Sequence, residues 1–419
     1  MKFFKNSDLM HLFSVSDKTV RNWIDAAKAG KNGLELYQDG ARLYIVDSIN
    51  NDSILSQLAS HGRRYRNRRT HRIITPRDRF YEQYTVEQLA QILHGIEIDR
   101  EIPQEYRFFG DGAHYWNGYL KKLSSAGHGN ILTAQNELLD LGAPYFARLT
   151  SDFKHINLID LGVGNGFAAK GILERLISED KLRSYIGIDL SQDLLDIATT
   201  NIRGWAGHSL HITKAARNFV SEGFGDLLIQ KSYGDDAAQT LNIALVLGGS
   251  ILNMADPRGM LKNVRHSLGE KDILVSAIKL DGEKARRFFD FNLPFEKGAI
   301  PTHTKQMLEL LGIDQELYEV EQFYDEHQRC RVIQIRLKVS VGLRFKYEDF
   351  SKILEIRKGE ALVLWRAHHY TEAEFIALYN QCGFNTLYTA QTLDEEFLLT
   401  ISRIKKEKPY FSPGLKPLT

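Results

Sequence analysis

A glycine-rich loop and a carboxylate at two neighbouring strand ends are the residues best suited to chemistry in this sequence. The apolar run INLIDLG leads into Asp160, Gly162, Gly164 and Gly166, and a helical stretch starts directly afterwards. Backbone amides and the positive end of that helix then meet whatever lies across the strand ends, and glycine lets it approach the backbone closely. One helix later, YIGIDLS places Asp189 at the next strand end, where a carboxylate can accept hydrogen bonds from both hydroxyls of a ribose.

The spacing within this loop narrows the kind of cofactor. The glycines follow G-x-G-x-G rather than the G-x-G-x-x-G of dinucleotide dehydrogenases, and an acidic residue starts the loop. This arrangement is typical of S-adenosylmethionine methyltransferases, and the Gly-Lys-Ser/Thr of a P-loop is missing. We therefore expect the loop and Asp189 to hold S-adenosyl-L-methionine. Asp226 is expected to meet the adenine amino group at the third strand end, with Asp235 and Asp236 as alternatives.

The strand NIALVLGGSILNM bears on whether a nucleic-acid base is the methyl acceptor. It ends in two glycines and then Asn253, whereas an adenine-methylating enzyme would carry a D/N/S-P-P-Y/F loop and a cytosine C5 enzyme a Pro-Cys nucleophile. Neither is present at this strand end, so methylation of nucleic acid or of a protein side chain is the weaker hypothesis. Asn253 has a second interpretation, as the cap of a helix that begins near Asp256.

The elements that must position these residues alternate between short apolar strands and helical stretches from about residue 155 to residue 280. This alternation predicts a Rossmann-like α/β fold with a parallel, doubly wound sheet. Residues 81 to 149 have a helical pattern and precede that sheet.

Composition excludes several other classes of protein. The chain has 419 residues, of which 43% are hydrophobic and 26% charged, which is ordinary for a globular protein of two or three domains. Cys330 and Cys382 lie far apart and outside metal-ligand spacing, so we expect neither a disulfide nor a metal site. No apolar run approaches the ~18 residues of a membrane span, and Asp8 interrupts the first apolar segment, so we expect a soluble cytoplasmic protein with no membrane partner.

Positive charge is concentrated in the first part of the chain. Residues 1–80 carry a net charge of +7 and the remainder a net charge of −6. Eight arginines, Arg63, Arg64 and Arg66 among them, lie between positions 63 and 79. Guanidinium groups pair bidentately with phosphate, so this stretch favours nucleic acid, with a solvated linker as the alternative.

The first 60 residues have the pattern of two short helices followed by a hairpin. The second helix, from about residue 17 to residue 29, exposes Lys18, Thr19, Arg21 and Asn22. LELYQDGARLYIV then alternates around an Asp-Gly turn, like a wing. The segment SVSDKTVRNWI…ARLYIVDSINNDSI resembles the winged helix-turn-helix of MerR-type and excisionase-type proteins. That resemblance implies that these residues and the arginine stretch contact double-stranded DNA and that the chain forms a homodimer. A helical packing module that touches no DNA is the alternative.

Four segments together resemble one family of enzymes. LIDLGVGNG, YIGIDLS, LVLGGSILNM and RAHHYTEAEFIALYNQCGF resemble the ergothioneine-type histidine N-alpha-methyltransferases, the histidine-specific methyltransferase-like family, over about residues 100–405. The most specific piece is GGSILN, which resembles the family's G-G-[ST]-I-G-N. The resemblance implies a class I methyltransferase core into which an α+β substrate domain is inserted. The expected segments are a winged helix-turn-helix (1–60), an Arg-rich linker (61–80), a helical lead-in and core (81–285), the substrate domain (286–368), the end of the core (369–405) and a tail (406–419).

The departures from this family concern the substrate. By the resemblance Asn253 holds the amino-acid end of the substrate, because a side-chain amide donates to a carboxylate and accepts from an amine. The family carries a Glu and a Ser that read the imidazole ring, but the matched positions here are Trp365 and Ala367, and Phe289 matches a substrate-contacting Tyr. A site of this composition should reject histidine, whose ring nitrogens would be left unpaired. We expect a larger or more apolar small molecule that carries an amine.

Two functions remain open at this point. The first is a small-molecule N-methyltransferase with an N-terminal DNA-binding or regulatory domain, and the intact cofactor residues favour it. The second is a DNA-binding transcriptional regulator whose methyltransferase-like domain senses S-adenosylmethionine or a metabolite without turnover. No catalytic base is identified. His368, His369 and Tyr370 lie where the inserted domain rejoins the core, and an ordinary surface position is the alternative for them.

Overall fold

A computed structural model of the chain describes residues 3–13, 15–40, 42–48, 50–51, 54–55, 58–59, 72–127, 130–229, 238–287, 300–347 and 350–406. The helices with described bounds are α1 (Asn6–Phe13), α2 (Asp17–Lys28), α3 (Asp78–Gln83), α4 (Val86–His94), α5 (Asp111–Ser125), α6 (Ile131–Thr150), α7 (Lys170–Ser178), α8 (Gln192–Ala206), α9 (Gly225–Ile229), α10 (Pro257–Ser267), α11 (Glu283–Arg287), α12 (Thr302–Leu310) and α13 (Glu372–Gln381).

Strands are distributed along the whole of the described chain. In chain order they are β1 (Phe3–Phe4), β2 (Leu36–Asp39), β3 (Arg42–Val46), β4 (Arg72–Ile74), β5 (His155–Leu161), β6 (Leu182–Asp189), β7 (His211–Ala216), β8 (Thr240–Val246), β9 (Ile273–Lys279), β10 (Tyr318–Asp325), β11 (Cys330–Leu337), β12 (Val341–Tyr347), β13 (Phe350–Ile356), β14 (Ala361–His368), β15 (Phe384–Gln391) and β16 (Phe397–Ile404).

The chain divides into two compact units that differ from the six predicted segments. The first unit consists of residues 1–76 and 337–360, and the second of residues 77–336 and 361–419. The predicted insertion at 286–368 is therefore shared between the units, because β12 pairs in parallel with β4 and antiparallel with β13 within the first unit. The predicted tail lies outside the described residues from position 407 onward.

The N-terminal part of the first unit contains α1, α2 and a small sheet. Strand β3 pairs antiparallel with both β1 and β2, and Gly40 turns the hairpin with a φ of +59°. Helix α2 starts at a side-chain cap from Ser16 and buries Val20, Trp23 and Ile24. These apolar residues recur at helical spacing on one face, which packs them into a shared core and leaves the polar face outside.

A seven-stranded sheet forms the centre of the second unit, in the order β15-β16-β9-β8-β5-β6-β7. Strands β5 to β9 are parallel to one another, and β16 runs antiparallel to β9 and β15. One face packs on α5 to α8 and the other on α9, α10 and α13. Every residue of β8 and β9 is buried, as expected for parallel strands covered on both faces. The predicted Rossmann-like fold is confirmed, but the predicted parallel sheet is a mixed one, because β16 runs antiparallel to both of its neighbours.

A separate three-stranded sheet, in the order β10-β11-β14, also belongs to the second unit. In it β11 and β14 pair antiparallel, so residues directly opposite one another share a face. Cys330 and Cys382 are both buried and unbridged. Among the described residues, no helix combines the length and the apolar composition needed to cross a membrane.

Candidate active site

The glycine loop joins β5 to the first turns of α7. Gly162, Gly164 and Gly166 have φ angles of +74°, +54° and +82°, in the left-handed region that side chains other than glycine rarely adopt. A Cβ atom on Gly164 would lie 3.3 Å from Nε1 of Trp116, so there is little room for one. The three glycines therefore give the loop a path that other residues would strain, with its backbone open to close approach.

Asp189 lies at the end of β6 and is linked to the glycine loop. Its Oδ2 accepts a hydrogen bond from the Gly164 amide at 3.3 Å, and its Oδ1 accepts one from the Ser191 amide at 2.9 Å. Exclusion of water by the surrounding protein raises the pKa of Asp189 to about 6, although both amide bonds act in the opposite direction. The structure thus brings together the loop and the carboxylate that were predicted separately.

Asp160 lies in β5 just before the loop, with only 2% of its surface exposed. Its Oδ2 accepts a hydrogen bond from the Tyr185 hydroxyl at 2.6 Å, which joins β5 to β6 beneath the loop. Burial raises the pKa of Asp160 to about 6, and the Tyr185 hydrogen bond opposes that rise. Its hydrogen bond to Tyr185 supports the geometry of the loop, in addition to the predicted contact with a cofactor.

Asp226 lies apart from the end of β7, in the short helix α9. Both of its carboxylate oxygens accept hydrogen bonds from Arg217, at 2.6 and 2.7 Å, and this ion pair lowers the pKa of Asp226. The structure therefore gives Asp226 an ion-pair partner at the surface, and its contact with the adenine amino group stays a prediction. The alternatives Asp235 and Asp236 lie outside the described residues.

The sequence analysis missed the segment that does follow β7. The Arg217 amide donates to the Asp189 carbonyl at 3.0 Å, which keeps the chain beside the end of β6. The ring of Phe219 comes within 3.4 Å of the place where a Cβ on Gly162 would stand. The Phe219 side chain thus lies at this edge of the loop, and the signal available in the sequence was an Asn-Phe pair shortly after a strand end.

Helix α5, from the predicted helical lead-in, lies over the glycine loop. Asn165 in the loop donates to Oδ1 of Asn117 at 3.0 Å, and the Trp116 indole lies against Gly164. Trp116 stacks on Tyr119 with ring centres 5.3 Å apart, and both rings line a cavity of about 410 Å³. A cavity of this size suits a small molecule, and Trp116 places it next to the loop.

Three of the four predicted substrate residues line this same cavity. They are Asn253, Trp365 and Ala367. The fourth, Phe289, lies outside the described residues. Trp365 and Ala367 lie on β14 opposite Ile333 and Arg331 of β11, so one face of this strand pair forms a wall of the cavity.

Asn253 does not cap a helix. Helix α10 is capped by Asp256, whose Oδ1 accepts from the Gly259 amide at 2.8 Å. Asn253 instead ends a 3-10 turn that follows the left-handed Gly248 and Gly249, and its carbonyl accepts from Gln104 at 2.8 Å. The helix-cap interpretation of Asn253 is therefore wrong, and its side chain remains at the cavity wall.

Basic residues of the wall were also missed by the sequence analysis. Arg107 is 5% exposed, and burial lowers its pKa to about 9, which leaves it charged near neutral pH. His303 stacks on Phe108 with ring centres 5.7 Å apart, and burial together with Arg107 lowers its pKa, so it is neutral. Lys279 and Arg331 complete the buried cations of this wall. No sequence signal marked them, because they come from four separate segments of the chain.

The His368-His369-Tyr370 segment is only in part a surface feature. His369 is 5% exposed and lines the cavity, whereas His368 and Tyr370 are half-buried. Burial and the nearby Arg331 lower the pKa of His369 to about 3, so the imidazole is neutral. Among the described residues, no cluster of His, Cys, Asp or Glu is arranged to hold a metal ion.

Comparison with known proteins agrees with this description of the core. Residues 132–404 match the family model described as histidine-specific methyltransferase, SAM-dependent. No curated protein matches the chain.

Several solved structures are similar to parts of the chain. An S-adenosylmethionine-dependent methyltransferase from Clostridium acetobutylicum ATCC 824 is 13% identical, covers 71% of this chain and 100% of its own, and has a TM-score of 0.39. The CcbJ methyltransferase from Streptomyces caelestis is 13% identical, covers 65% of this chain and 90% of its own, and has a TM-score of 0.36. The glycopeptide N-methyltransferase MtfA, crystallised with S-adenosyl-L-methionine, is 12% identical over 64% of this chain and 87% of its own, with a TM-score of 0.32.

Proposed function

Because the chain belongs to the histidine-specific, S-adenosylmethionine-dependent methyltransferase family, we propose that it transfers a methyl group to an amine of a small amino-acid-like molecule other than histidine. The protein is an S-adenosylmethionine-dependent methyltransferase with a Rossmann-like class I fold. This identity favours turnover over the alternative of a regulator that only senses the cofactor. The nature of the amine, and the roles of the residues below, are the proposal.

The residues at the loop fit S-adenosylmethionine. The crowding of Gly164 by Trp116 and the left-handed φ angles leave a bare backbone at the strand ends. Asp189 would accept hydrogen bonds from ribose hydroxyls through lone pairs that its two amide bonds leave open. Phe219 and Asn218 would border the adenine ring. The cofactor supplies a methyl group bound to a positively charged sulfur.

The cavity wall favours a neutral amine over an ammonium group. An α-amine has a pKa of ~8 and needs its lone pair to accept a methyl group. Lys279 and Arg331 are both at least 97% buried at the wall, and like charges nearby lower the pKa of an amine. Asn253 would orient the amino-acid end, as its side-chain amide donates and accepts.

One observation carries this proposal: Trp116 lies against the cofactor loop and also lines the cavity that contains Asn253, Trp365 and Ala367. The test is to incubate purified protein with S-adenosylmethionine and a panel of small amines, and to detect methylated products by mass spectrometry. We expect at least one amine to be methylated, at a rate that falls in Asn253→Ala and is kept in Asn385→Ala, an exposed position on β15. Equal rates in the two variants would contradict the role of Asn253.

We further propose that the first unit binds double-stranded DNA through α2. Lys18, Arg21 and Asn22 are exposed on the face opposite the buried Val20 and Trp23. Arg21 pairs with Asp17 at 2.6 Å, but an exposed ion pair of this kind contributes ~1 kcal/mol or less and yields readily to phosphate.

The other residues predicted to bind DNA have weaker support. Thr19 is half-buried, and its hydroxyl forms a hydrogen bond with the hydroxyl of Ser16 at 3.0 Å. This contact stabilises the start of α2 and engages the hydroxyl that was expected to contact DNA. Arg63, Arg64 and Arg66 lie outside the described residues.

The test of DNA binding is fluorescence anisotropy with a labelled duplex at increasing salt. We expect affinity to fall steeply with salt and to drop in the double variant Lys18→Ala/Arg21→Ala. Lys121→Ala, which removes an exposed lysine of α5 in the second unit, is the control and should bind like the wild type. No binding at low salt would show that the unit is a packing module.

A further inference from the structure

The side chain of Gln104 connects two parts of the cavity wall that are far apart in the sequence. It is 8% exposed, and its amide nitrogen Nε2 donates to the carbonyl of Asn253 at 2.8 Å and to the carbonyl of Arg366 at 3.0 Å. Asn253 ends the 3-10 turn after β8, and Arg366 lies on β14 between Trp365 and Ala367. One amide group therefore joins the turn that carries Asn253 to the strand that carries the other two predicted substrate residues.

A third contact sets the orientation of this amide. Its oxygen Oε1 accepts a hydrogen bond from Nη2 of Arg107 at 3.3 Å. A guanidinium group only donates, so it selects the oxygen of the amide and leaves the NH2 group for the two carbonyls. Arg107 also donates to the Thr304 hydroxyl at 3.4 Å. The Gln104 side chain thus has one defined orientation, in which its oxygen and both of its N–H groups are engaged.

The segment that carries Gln104 runs along the edge of β14. Strand β14 ends the three-stranded sheet, and its Val363 amide donates to the Arg100 carbonyl at 2.8 Å. The Ile102 amide donates to the Val363 carbonyl at 2.9 Å, so the two segments pair in parallel. The backbone then enters the 3-10 turn that begins at Gln104, and the Gln104 side chain extends the contact to the Arg366 carbonyl.

Loss of this amide would act on both carbonyls at once. An apolar side chain at position 104 would remove the donor that each of them has from Gln104, and a polar group left unpaired in a partly buried place is costly. The turn and β14 would then shift until water or another donor reaches the carbonyls. Small displacements of groups that hold a substrate have large effects on catalysis.

We propose that Gln104 is a positioning residue of the acceptor site, which fixes Asn253 relative to Trp365 and Ala367. It would thereby set the distance between the groups that bind the amino-acid end and the side-chain end of the acceptor. This inference rests on the proposed function, in which these residues contact the acceptor. Gln104 lies outside the residues 132–404 that match the family model.

The kinetic test compares Gln104→Met with Gln239→Met. Methionine keeps the length of glutamine and removes the amide. Gln239 is exposed and precedes β8, at the amino ends of the parallel strands, whereas the glycine loop follows their carboxyl ends. The probe is the amine that is methylated fastest in the panel. We expect its KM to rise roughly tenfold in Gln104→Met and to stay unchanged in Gln239→Met.

Two further measurements separate positioning from a general loss of folding. The affinity for S-adenosylmethionine, measured by calorimetry, should stay unchanged in Gln104→Met, because the cofactor loop does not depend on this amide. Gln104→Glu keeps an oxygen for Arg107 and removes both N–H donors, so it should raise KM as well. Melting by circular dichroism checks that each variant is folded, and Gln104→Glu decides the question if Gln104→Met does not fold.

A double-mutant cycle tests whether Gln104 acts through Asn253. If it does, Gln104→Met should reduce kcat/KM less in the Asn253→Ala background than in the wild type, because the group that it positions is already absent. Fully additive effects of the two substitutions would overturn the inference.

Hydrogen exchange tests the same role without an acceptor. Exchange of backbone amides in the full chain is followed by mass spectrometry. We expect faster exchange in residues 248–254 and 361–368 of Gln104→Met, and exchange like that of the wild type in Gln239→Met. Unchanged exchange in both segments, or an unchanged KM, would also overturn the inference. Absence of cofactor binding or of any methylated amine is instead failure of the proposed function, and hydrogen exchange still decides whether Gln104 joins the turn to β14.

Discussion

At the scale of single residues, backbone angles and carboxylate hydrogen bonds define the site. Gly162, Gly164 and Gly166 adopt left-handed φ angles in one five-residue loop, and Asp189 accepts hydrogen bonds from the middle glycine and from Ser191. A residue with a side chain costs roughly 1–2 kcal/mol in the left-handed region, so the path of this loop requires glycine, which has no Cβ atom. The account therefore depends on residues that have no side-chain chemistry of their own.

Gly164→Ala should weaken cofactor binding by roughly tenfold, since ~1.4 kcal/mol of strain and crowding against Trp116 corresponds to that factor. Its control is Gly127→Ala, at a φ of +78° with no atom within 4 Å of the new Cβ. Both variants should lower the melting temperature, and only Gly164→Ala should weaken calorimetric binding of S-adenosylmethionine. Equal cofactor affinity in the two variants would show that the loop does not contact the cofactor.

Cofactor affinity should fall as the pH drops through about 6. Burial raises the pKa of Asp160 and Asp189 to about 6, above the ordinary value of 3.8, so both carboxyls take up protons over this range. The protonated form of Asp189 accepts ribose hydrogen bonds less well. Titration of S-adenosylmethionine between pH 5 and pH 8 measures this change in affinity, which should occur over on the order of one pH unit around the pKa. Asp189→Asn should reduce the dependence of cofactor affinity on pH.

Stability should respond to pH with the opposite sign at these two carboxyls. A raised pKa means that the folded protein binds protons more tightly than the unfolded chain, so their contribution to the unfolding free energy decreases as pH rises from about 4 to about 6. Urea unfolding of Asp189→Asn against the wild type isolates one of them. In the titration of S-adenosylmethionine, an affinity that stays constant between pH 5 and pH 8 would contradict the assignment of Asp189 to the cofactor.

At the scale of elements, the pairing of β11 with β14 decides which side chains face the cavity of the acceptor. The register puts Arg331, Ile333, Trp365 and Ala367 on one face. A shift of one residue in β14 would turn Trp365 and Ala367 away from the cavity. Specificity for the acceptor therefore depends on a strand register that lies outside the central sheet.

L-Histidine should not be methylated at a rate comparable to the true acceptor. Trp365 and Ala367 lack the hydrogen-bonding groups that an imidazole ring needs, and an unpaired buried nitrogen costs ~1–3 kcal/mol. The measurement is mass spectrometry of histidine after incubation with protein and S-adenosylmethionine. Formation of methylated histidine at the rate of the best amine would contradict this interpretation of β14.

The sequence predicted the elements of the core sheet better than those around it. Strands β5, β6, β8 and β9 are buried apolar runs, so the hydrophobic pattern alone predicted where they and the glycine loop lie in the sequence. Strand β7 is HITKAA, an edge strand with exposed positions, and its weak pattern hid the Asn218-Phe219 segment behind it.

Other features were not predicted from the sequence because they depend on contacts between residues that are distant in the chain. The pairing of β4 with β12 joins residues more than 260 positions apart, and no local pattern signals such a contact. Arg107, Lys279 and Arg331 come from three distant segments, so their shared cavity was visible only in the structure.

At the scale of the whole molecule, the basic part of the chain and the methyltransferase site are separate. Residues 1–80 carry a net charge of +7 and the rest a net charge of −6, and the glycine loop, Asp189 and the cavity all belong to the second unit. The excess of positive charge, which favours phosphate, therefore lies in a different part of the sequence from the residues of the cavity. Methylation of the small acceptor should therefore need no nucleic acid.

Turnover should proceed in the absence of DNA. The expected result is the same methylated product from nuclease-treated protein with and without added duplex, as measured by mass spectrometry. Product that forms only with duplex present would contradict this expectation and show that methyl transfer depends on nucleic acid.

The most direct test of the account is calorimetric titration of S-adenosylmethionine into the wild type, Asp189→Ala and Asp140→Ala. Asp140 is the matched control, because it is an exposed carboxylate of α6 that pairs with Arg175. We predict micromolar binding by the wild type, binding at least about tenfold weaker in Asp189→Ala through loss of charged hydrogen bonds, and no change in Asp140→Ala. Absence of binding by the wild type, or equal binding by all three proteins, would contradict the cofactor site on which the rest depends.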